Sequence, residues 1–511
     1  MELRTFSVYD IFKRNAKNVP GSVAVVFGDR RVTYAELLVE VNRMASGLAS
    51  LGVGKGDRVA VLSHNRPEYV AAFGAVAALG AIIVPVNWRL SAEECKHVVE
   101  DTTPRASICD ENCRERMEEI VEMGAPVGRP VSVTPCDEDW VCLSDLPGDD
   151  APTLAEVAAD DPYCVIHTAA VEGKARGAVL THGNVIYGNM QALAVMGLAR
   201  EPVHLSMLPL FHITGVNLTL TTAHAGGRNV IMEKFDAERA VQSIRDEGVT
   251  LLASFPPILA TLTERIQAEG GGADTLAHVL GIDSPDNIKA FEETTGATFW
   301  CLYGQTETSG PVTFSPARER PGSAGQPGPL TDVRLADDGD RDVPLGENGE
   351  ILVRGPLVFA GYWNKDEVNR HTFRDGWHHT GDIGRFDEGG YLWFGGRKPE
   401  KDLIKPGGEN VYPAEVEAAC LEHPGMAEVC VIGVPDRKWG EGIKAVCVRK
   451  PGQEFSAEDL IAFVGGRIAR YKKPQYVAFV EALPKTAAGV VDRIRVKEEH
   501  GENQAGPTSG T

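Results

Sequence analysis

What this chain lacks narrows its function before any motif is read. Its ten cysteines include no Cys-x-x-Cys, and its thirteen histidines include no paired motif of the kind that binds zinc. The thiols therefore read as scattered core residues rather than a metal or disulfide framework. His378 and His379 are adjacent, so their side chains point in different directions, and no metal ligands are assigned. No uninterrupted apolar run approaches the roughly 18 residues that span a bilayer. No charged and then apolar leader stands at residues 1–5, so the expectation is a soluble, cytoplasmic protein with no membrane partner. Positive charge is also short: the net charge is −21, which argues against a nucleic-acid partner and against anionic membranes. A local basic groove could still hold a small anionic ligand. No internal repeat is visible.

What is present is alternation. Over about the first 400 residues, apolar strands such as residues 58–62 and 81–86 alternate with helical patterns such as the Ala-rich residues 69–79. This switching between period 2 and period 3.6 predicts α/β layering with largely buried sheets. At 511 residues the chain is too long for one core. The polar run 395–402 is the best boundary, dividing a large unit (1–397) from a smaller α+β unit (398–500) with strands near 429–434 and 444–448. The small, polar residues 501–511 read as a disordered tail.

Five segments then stand in order: Pro209-Leu210-Phe211-His212-Ile213-Thr214-Gly215, Tyr303-Gly304-Gln305-Thr306-Glu307-Thr308, Gly376-Trp377-His378-His379-Thr380-Gly381-Asp382, the run from Gly407-Gly408-Glu409-Asn410 to Glu417, and Arg470-Tyr471-Lys472-Lys473-Pro474. In order and spacing they resemble the adenylate-forming superfamily, which holds acyl-CoA synthetases, peptide-synthetase adenylation domains and luciferases. The resemblance implies a large multi-sheet α/β domain followed by a small, mobile α+β domain.

The resemblance also implies roles. Asp382 would accept hydrogen bonds from both ribose hydroxyls of an adenylate, a task suited to an acceptor-only group, with Arg397 as a second ribose contact. Tyr303 would stack on adenine, Gly304 would border the same site, and Thr306 would bind the adenylate phosphate. Glu307 would hold Mg²⁺ in members that use ATP. His212 would lie between the acyl pocket and the thiol entrance. In the family the small domain takes two poses. One brings a C-terminal lysine into the site to form the acyl-adenylate; the other lines a pantetheine tunnel with the Gly-Gly-Glu-Asn face. Gly407, Gly408 and Glu409 keep that face, and Trp439 lies in a kept segment beside it.

The parts for the first pose are broken in two places. The family's phosphate loop, Thr-Ser-Gly-Thr-Thr-Gly-Lys-Pro-Lys-Gly, reads here Thr168-Ala169-Ala170-Val171-Glu172-Gly173-Lys174-Ala175-Arg176-Gly177. Every hydroxyl after Thr168 is gone, and Glu172 sets a negative charge where pyrophosphate would lie. One such contact at about 4 Å and an effective dielectric of about 20 costs up to roughly 4 kcal/mol. The catalytic lysine position is Val490, and losing a preorganised cation of this kind typically costs about 10²–10³ in rate. The hinge run 396–402 is also about two residues longer than the family's, so a hinge at Asp402 is in question. Residues 279–285 replace the usual segment beside adenine.

The pattern resembles non-adenylating CoA ligases of natural-product pathways such as that of platensimycin. It implies an enzyme that takes acyl-adenylate and coenzyme A to acyl-CoA and AMP, with ATP and Mg²⁺ in question as cofactors and a separate adenylating enzyme as partner. Two alternatives are a complete ATP-dependent synthetase with compensating residues, and a pseudoenzyme that binds adenylate or acyl-CoA. A carrier-protein thiol in place of free CoA also stays open. The tryptophan of acetate-using relatives is absent at Gly304, which suggests an acid larger than acetate. Phe211, Ile213, Val216 and Leu218 suit a hydrophobic one. A homodimer is the default assembly.

Overall fold

A computed structural model of the protein describes residues 6–135, 140–148, 152–168, 175–198, 201–398, 403–485 and 491–502. Val490, residues 169–174 of the expected phosphate loop, residues 399–402 of the expected hinge run and most of the expected tail lie outside them.

Two eight-stranded sheets dominate. One runs Gly310–Pro316, Thr298–Gln305, His278–Gly281, Leu251–Ser254, Val203–Ser206, Arg228–Ile231, Val23–Phe27 and Arg30–Thr33, parallel inside and antiparallel at both edges. The other runs Gly361–Tyr362, Arg176–Thr181, Pro162–Thr168, Ile82–Pro85, Arg58–Leu62, Ala106–Cys109, Arg129–Ser132 and Val141–Cys142. Parallel strands need helical crossovers that cover both faces, which is why their sequences are continuous apolar runs. The largest core cluster draws on both sheets, with Val25 and Ile231 from one and Val59, Val61 and Ile83 from the other. Between them lies the helix Pro67–Ala78, apolar on nearly every face and buried throughout except at Glu68, as a helix inside a core must be. Proline at its first position costs no hydrogen bond, because that N–H has no intrahelical partner. The helix Ala92–Thr102 begins with a capping box, Ser91 with Glu94.

A five-stranded antiparallel sheet follows. It contains Asp332–Ala336, Gly349–Arg354, Trp377–Phe386, Phe373–Arg374 and Leu392–Arg397. The last sheet has three strands, Met426–Asp436, Gly440–Arg449 and Tyr476–Phe479. Its first strand, Met426–Asp436, lies at the sheet edge yet is buried on both faces: Val429 and Val431 pack with Leu460 and Val464, while Cys430, Ile432 and Val434 pack with Leu483 and Val496. No apolar cluster among the described residues draws on both sides of the 399–402 stretch. The architecture is the expected large α/β part with several sheets and a small part after it. The nine described cysteines are all buried and free. None of the described helices is long and apolar enough to cross a membrane.

Candidate active site

A cavity of about 410 Å³ opens where the three-stranded part meets the large part. Three polar clusters face it, and each is set by a strand end or a tight loop.

The first cluster is built on paired strands. Asp382, in Trp377–Phe386, sits directly opposite Arg397, in Leu392–Arg397, with Arg397 Nε 3.7 Å from Asp382 Oδ1. Asp382 Oδ2 accepts from the Tyr303 hydroxyl at 2.9 Å and from Gln305 Nε2 at 2.5 Å. Tyr303 and Gln305 are two apart on Thr298–Gln305, so they share a face. Burial, and then the Asp382 carboxylate, push the Tyr303 phenol well above its ordinary pKa, which keeps it a donor. Arg397 Nη1 also donates to Leu403 O at 2.9 Å, tying the ends of the 399–402 stretch together. Behind this cluster Glu350, nearly inaccessible, accepts from Gly381 N–H at 2.9 Å and pairs with Lys398 at 2.9 Å. Burial raises the Glu350 pKa, but His379, Lys398 and the Gly381 amide together bring it down to about 2.

Glu307 anchors the second cluster. It lies in the short 3₁₀ turn Thr306–Thr308 that closes the hairpin to Gly310–Pro316. Its Oε1 accepts from the Tyr362 hydroxyl at 2.8 Å and from Thr168 Oγ1 at 3.2 Å. Thr306 and Gly304 line the cavity beside it. At 304 glycine lets the two strands approach closely: a Cβ there would stand 2.3 Å from the Gly310 carbonyl oxygen, and the backbone would have to shift.

The third cluster crosses between the two parts. Glu409, 8% exposed, accepts from His212 Nε2 at 3.1 Å and pairs with Arg89. Burial pushes the Glu409 carboxyl up, but His212 and Arg89 outweigh it and hold the pKa at about 2. Arg89 is itself stacked 4.8 Å from the Trp88 ring. The two preceding residues have left-handed backbone, Gly407 at φ +59° and Gly408 at φ +86°, which favours glycine. A Cβ on Gly407 would stand 2.9 Å from the Trp439 ring, and one on Gly408 would stand 3.4 Å from Phe255. The Gly407 N–H donates to Trp439 O at 2.9 Å, so Trp439 backs the loop.

Of the residues singled out in the sequence, His212, Gly304, Thr306, Glu307, Asp382, Arg397, Gly407, Gly408 and Glu409 line the one cavity. Tyr303, expected to stack on adenine, is not among the lining residues of the cavity. Its position on the strand turns it into a cluster with Val312, Ile351 and Leu392, and it reaches the site through its hydroxyl. Ile213 and Leu218 line the cavity, whereas Val216 is fully buried in the main core and Phe211 packs on His212. Met196, Met207, Leu280, Leu302 and Phe314 complete the apolar wall. Three polar residues were not anticipated. Gln305 could have been found from its i, i+2 relation to Tyr303; Arg89 and Tyr362 belong to no motif.

Comparison with known proteins agrees with this architecture. Residues 12–363 match the AMP-binding enzyme family, and residues 415–489 match the AMP-binding enzyme C-terminal domain. An indoleacetate–CoA ligase of Aromatoleum aromaticum is 34% identical, covering 95% of this chain and 96% of its own. A feruloyl-CoA synthase of Amycolatopsis is 35% identical over 96% and 98%. A double mutant of the o-succinylbenzoate CoA synthetase of Bacillus subtilis, bound with its product analogue OSB-NCoA, superposes with TM-score 0.86 at 30% identity, covering 96% of this chain and 98% of that one. The same enzyme with the acyl-adenylate intermediate OSB-AMP gives 0.71 at 29% identity over the same shares.

Proposed function

The chain belongs to the AMP-binding enzymes, among the acyl-CoA ligases, and on that premise we propose that it performs the thioester-forming half of their reaction: acyl-adenylate and coenzyme A to acyl-CoA and AMP. In that step the thiol gives up its proton, sulfur bonds to the acyl carbon, and the mixed-anhydride C–O bond breaks to release AMP. AMP is a good leaving group, so orientation and exclusion of water do most of the work.

The observation that carries this reading is the contact of Glu409 with His212 and Arg89, which brings the Gly407–Gly408 loop to the cavity mouth. The higher TM-score to the double mutant bound with its product analogue than to the enzyme bound with its acyl-adenylate supports this reading. In this reading Asp382 and Arg397 hold the ribose, with Tyr303 and Gln305 orienting Asp382. Thr306 meets the phosphate, the glycines admit a narrow thiol arm, and the apolar wall takes a hydrophobic acid larger than acetate. The large unit is 1–397 and the small unit 398–500. Glu307 would be the hard-oxygen ligand for a Mg²⁺ accompanying a nucleotide, since a carboxylate that accepts from two hydroxyls keeps lone pairs for it. The thioester-forming step does not require that ion.

Loss of adenylation rests on Val490 and on the sequence of the 168–177 loop. It requires a separate adenylating enzyme to supply the substrate, as natural-product pathways can provide. The second reading, a complete ATP-dependent ligase, is favoured by relatives that are CoA ligases and synthases over almost the whole chain.

The deciding experiment offers CoA with synthetic indoleacetyl-, feruloyl- and decanoyl-adenylates, beside ATP with the matching free acids. Acyl-CoA from the adenylates alone, with no exchange of labelled pyrophosphate into ATP, supports the proposal. Product from both, with exchange, establishes the complete ligase. Binding without product from either makes the chain a sensor.

A further inference from the structure

Lys472 is a buried lysine at the contact between the two parts. It sits in the 3₁₀ turn Arg470–Lys472, with its side chain 6% exposed. Its ammonium pairs with two carboxylates: Glu415, 2.6 Å away in the first turn of Pro413–Leu421, and Glu94, on Ala92–Thr102 of the large part. Glu94 takes a second bond across the boundary, from the Ala469 N–H at 3.1 Å, while its Oε2 also accepts from Ser91 N–H at 2.7 Å. One capping carboxylate therefore serves two purposes. It closes its own helix, and it grips the turn 469–472 of the other part.

The grip matters because, among the described residues, few other polar contacts link the parts. Their apolar cores are separate. Besides Glu94, the polar contacts described across the boundary are those of Glu409 with His212 and Arg89, in the site itself, and of Arg397 with Leu403 beside the 399–402 stretch, while the Gly407–Gly408 loop and Gly440 lie against Phe255 and Pro256. When the parts separate, Lys472 keeps Glu415, so both sides stay charge-compensated or solvated. Docking through such a contact is reversible in a way that burial of a shared apolar core is not.

We infer that Glu94 and Lys472 form a latch, remote from the reacting atoms, that positions the Gly407–Glu409 loop over the cavity. Glu94 is thus a positioning residue. Its kinetic consequence rests on the thioester-forming reading, but the latch itself does not.

The test is Glu94→Gln. Glutamine still completes the capping box with Ser91, but its amide N–H group meets the Lys472 ammonium, donor against donor. The expected result is that kcat for acyl-CoA formation from a synthetic adenylate and CoA falls about tenfold, within the usual range of coupling between sites. AMP affinity by calorimetry stays at the wild-type value, and the Ala469 amide loses its protection from hydrogen exchange. Unchanged kcat with Ala469 still protected would overturn the latch. So would AMP affinity falling in step with kcat, because Glu94 would then only be supporting the large part. If the wild type makes no acyl-CoA at all, the functional reading fails, and Ala469 exchange alone decides the latch.

Discussion

Gly408 combines a backbone angle of φ +86° with a neighbour, Phe255, 3.4 Å from where its Cβ would be. A small side chain would meet strain more than collision, and a long one would have to leave toward the cavity. Gly408→Leu is expected to lower CoA-dependent turnover by about 10² while leaving AMP affinity unchanged, since a displacement of about 1 Å near reacting groups costs that much. Turnover equal to the wild type would remove the loop from the thiol route. At Val490 the expectation runs the other way. A lysine supplied by Val490→Lys should restore little pyrophosphate exchange while Glu172, Ala169 and Ala170 remain, because a cation for the chemistry does not repair binding of the leaving group. A large gain in exchange would show that the loop was never limiting. These two positions differ in legibility as well. The glycines could be read from the sequence because a left-handed turn needs them, and the structure supplies their neighbours. Val490 and the loop 169–174 remain statements about sequence.

Among the elements, the strands and helices carrying the motifs could be anticipated where burial on both faces makes the pattern continuous, as in Met426–Asp436 and Pro67–Ala78. Side-chain turning was harder. Tyr303 belongs to a motif and Val216 follows one directly, yet strand and helix period point both into cores. Contacts between elements distant in sequence were not legible at all: Glu94 and Lys472 are 378 positions apart, and Arg89 meets Glu409 across 320. The buried Glu350 belongs with these, since it links Gly349–Arg354 to the strand bearing Asp382 and to Lys398. Removing its charge leaves Lys398 and the His379 ring facing an uncharged amide. Glu350→Gln should therefore cost about 3 kcal/mol, as for other broken buried pairs, measurable by urea unfolding. It should also weaken AMP binding through the strand that holds Asp382. A loss below about 0.5 kcal/mol, as at an ordinary surface site, would mean that this network does not brace the site.

For the molecule as a whole, buried titratable groups set the direction of its acid response. Burial lowers His182, His204 and His224 to about 4, so they are neutral when folded and charge on unfolding. For such a base the unfolded chain binds more protons between about pH 4 and 6.5, and stability is lost as pH falls through that window. Glu350, Glu409 and Asp110, held at about 2 by their partners, act with the same sign at lower pH. Their contribution is present above the ordinary carboxylate range of about 4 and is lost as pH falls from there toward 2. Glu415, raised to about 7 chiefly by burial, acts with the opposite sign but offsets only one proton of the three histidines. Across the two adjoining windows, unfolding free energy should therefore decline from about pH 6.5 downward, by up to about 1.4 kcal/mol per pH unit for each net proton taken up. Chemical denaturation at half-unit steps of pH would measure the slope. With His204→Asn, which keeps a side chain able to bond Asn229, the upper part of the slope should shrink by up to one proton while the part below pH 4 stays as it was. A slope unchanged above pH 4 in that variant would show that His204 does not charge on unfolding.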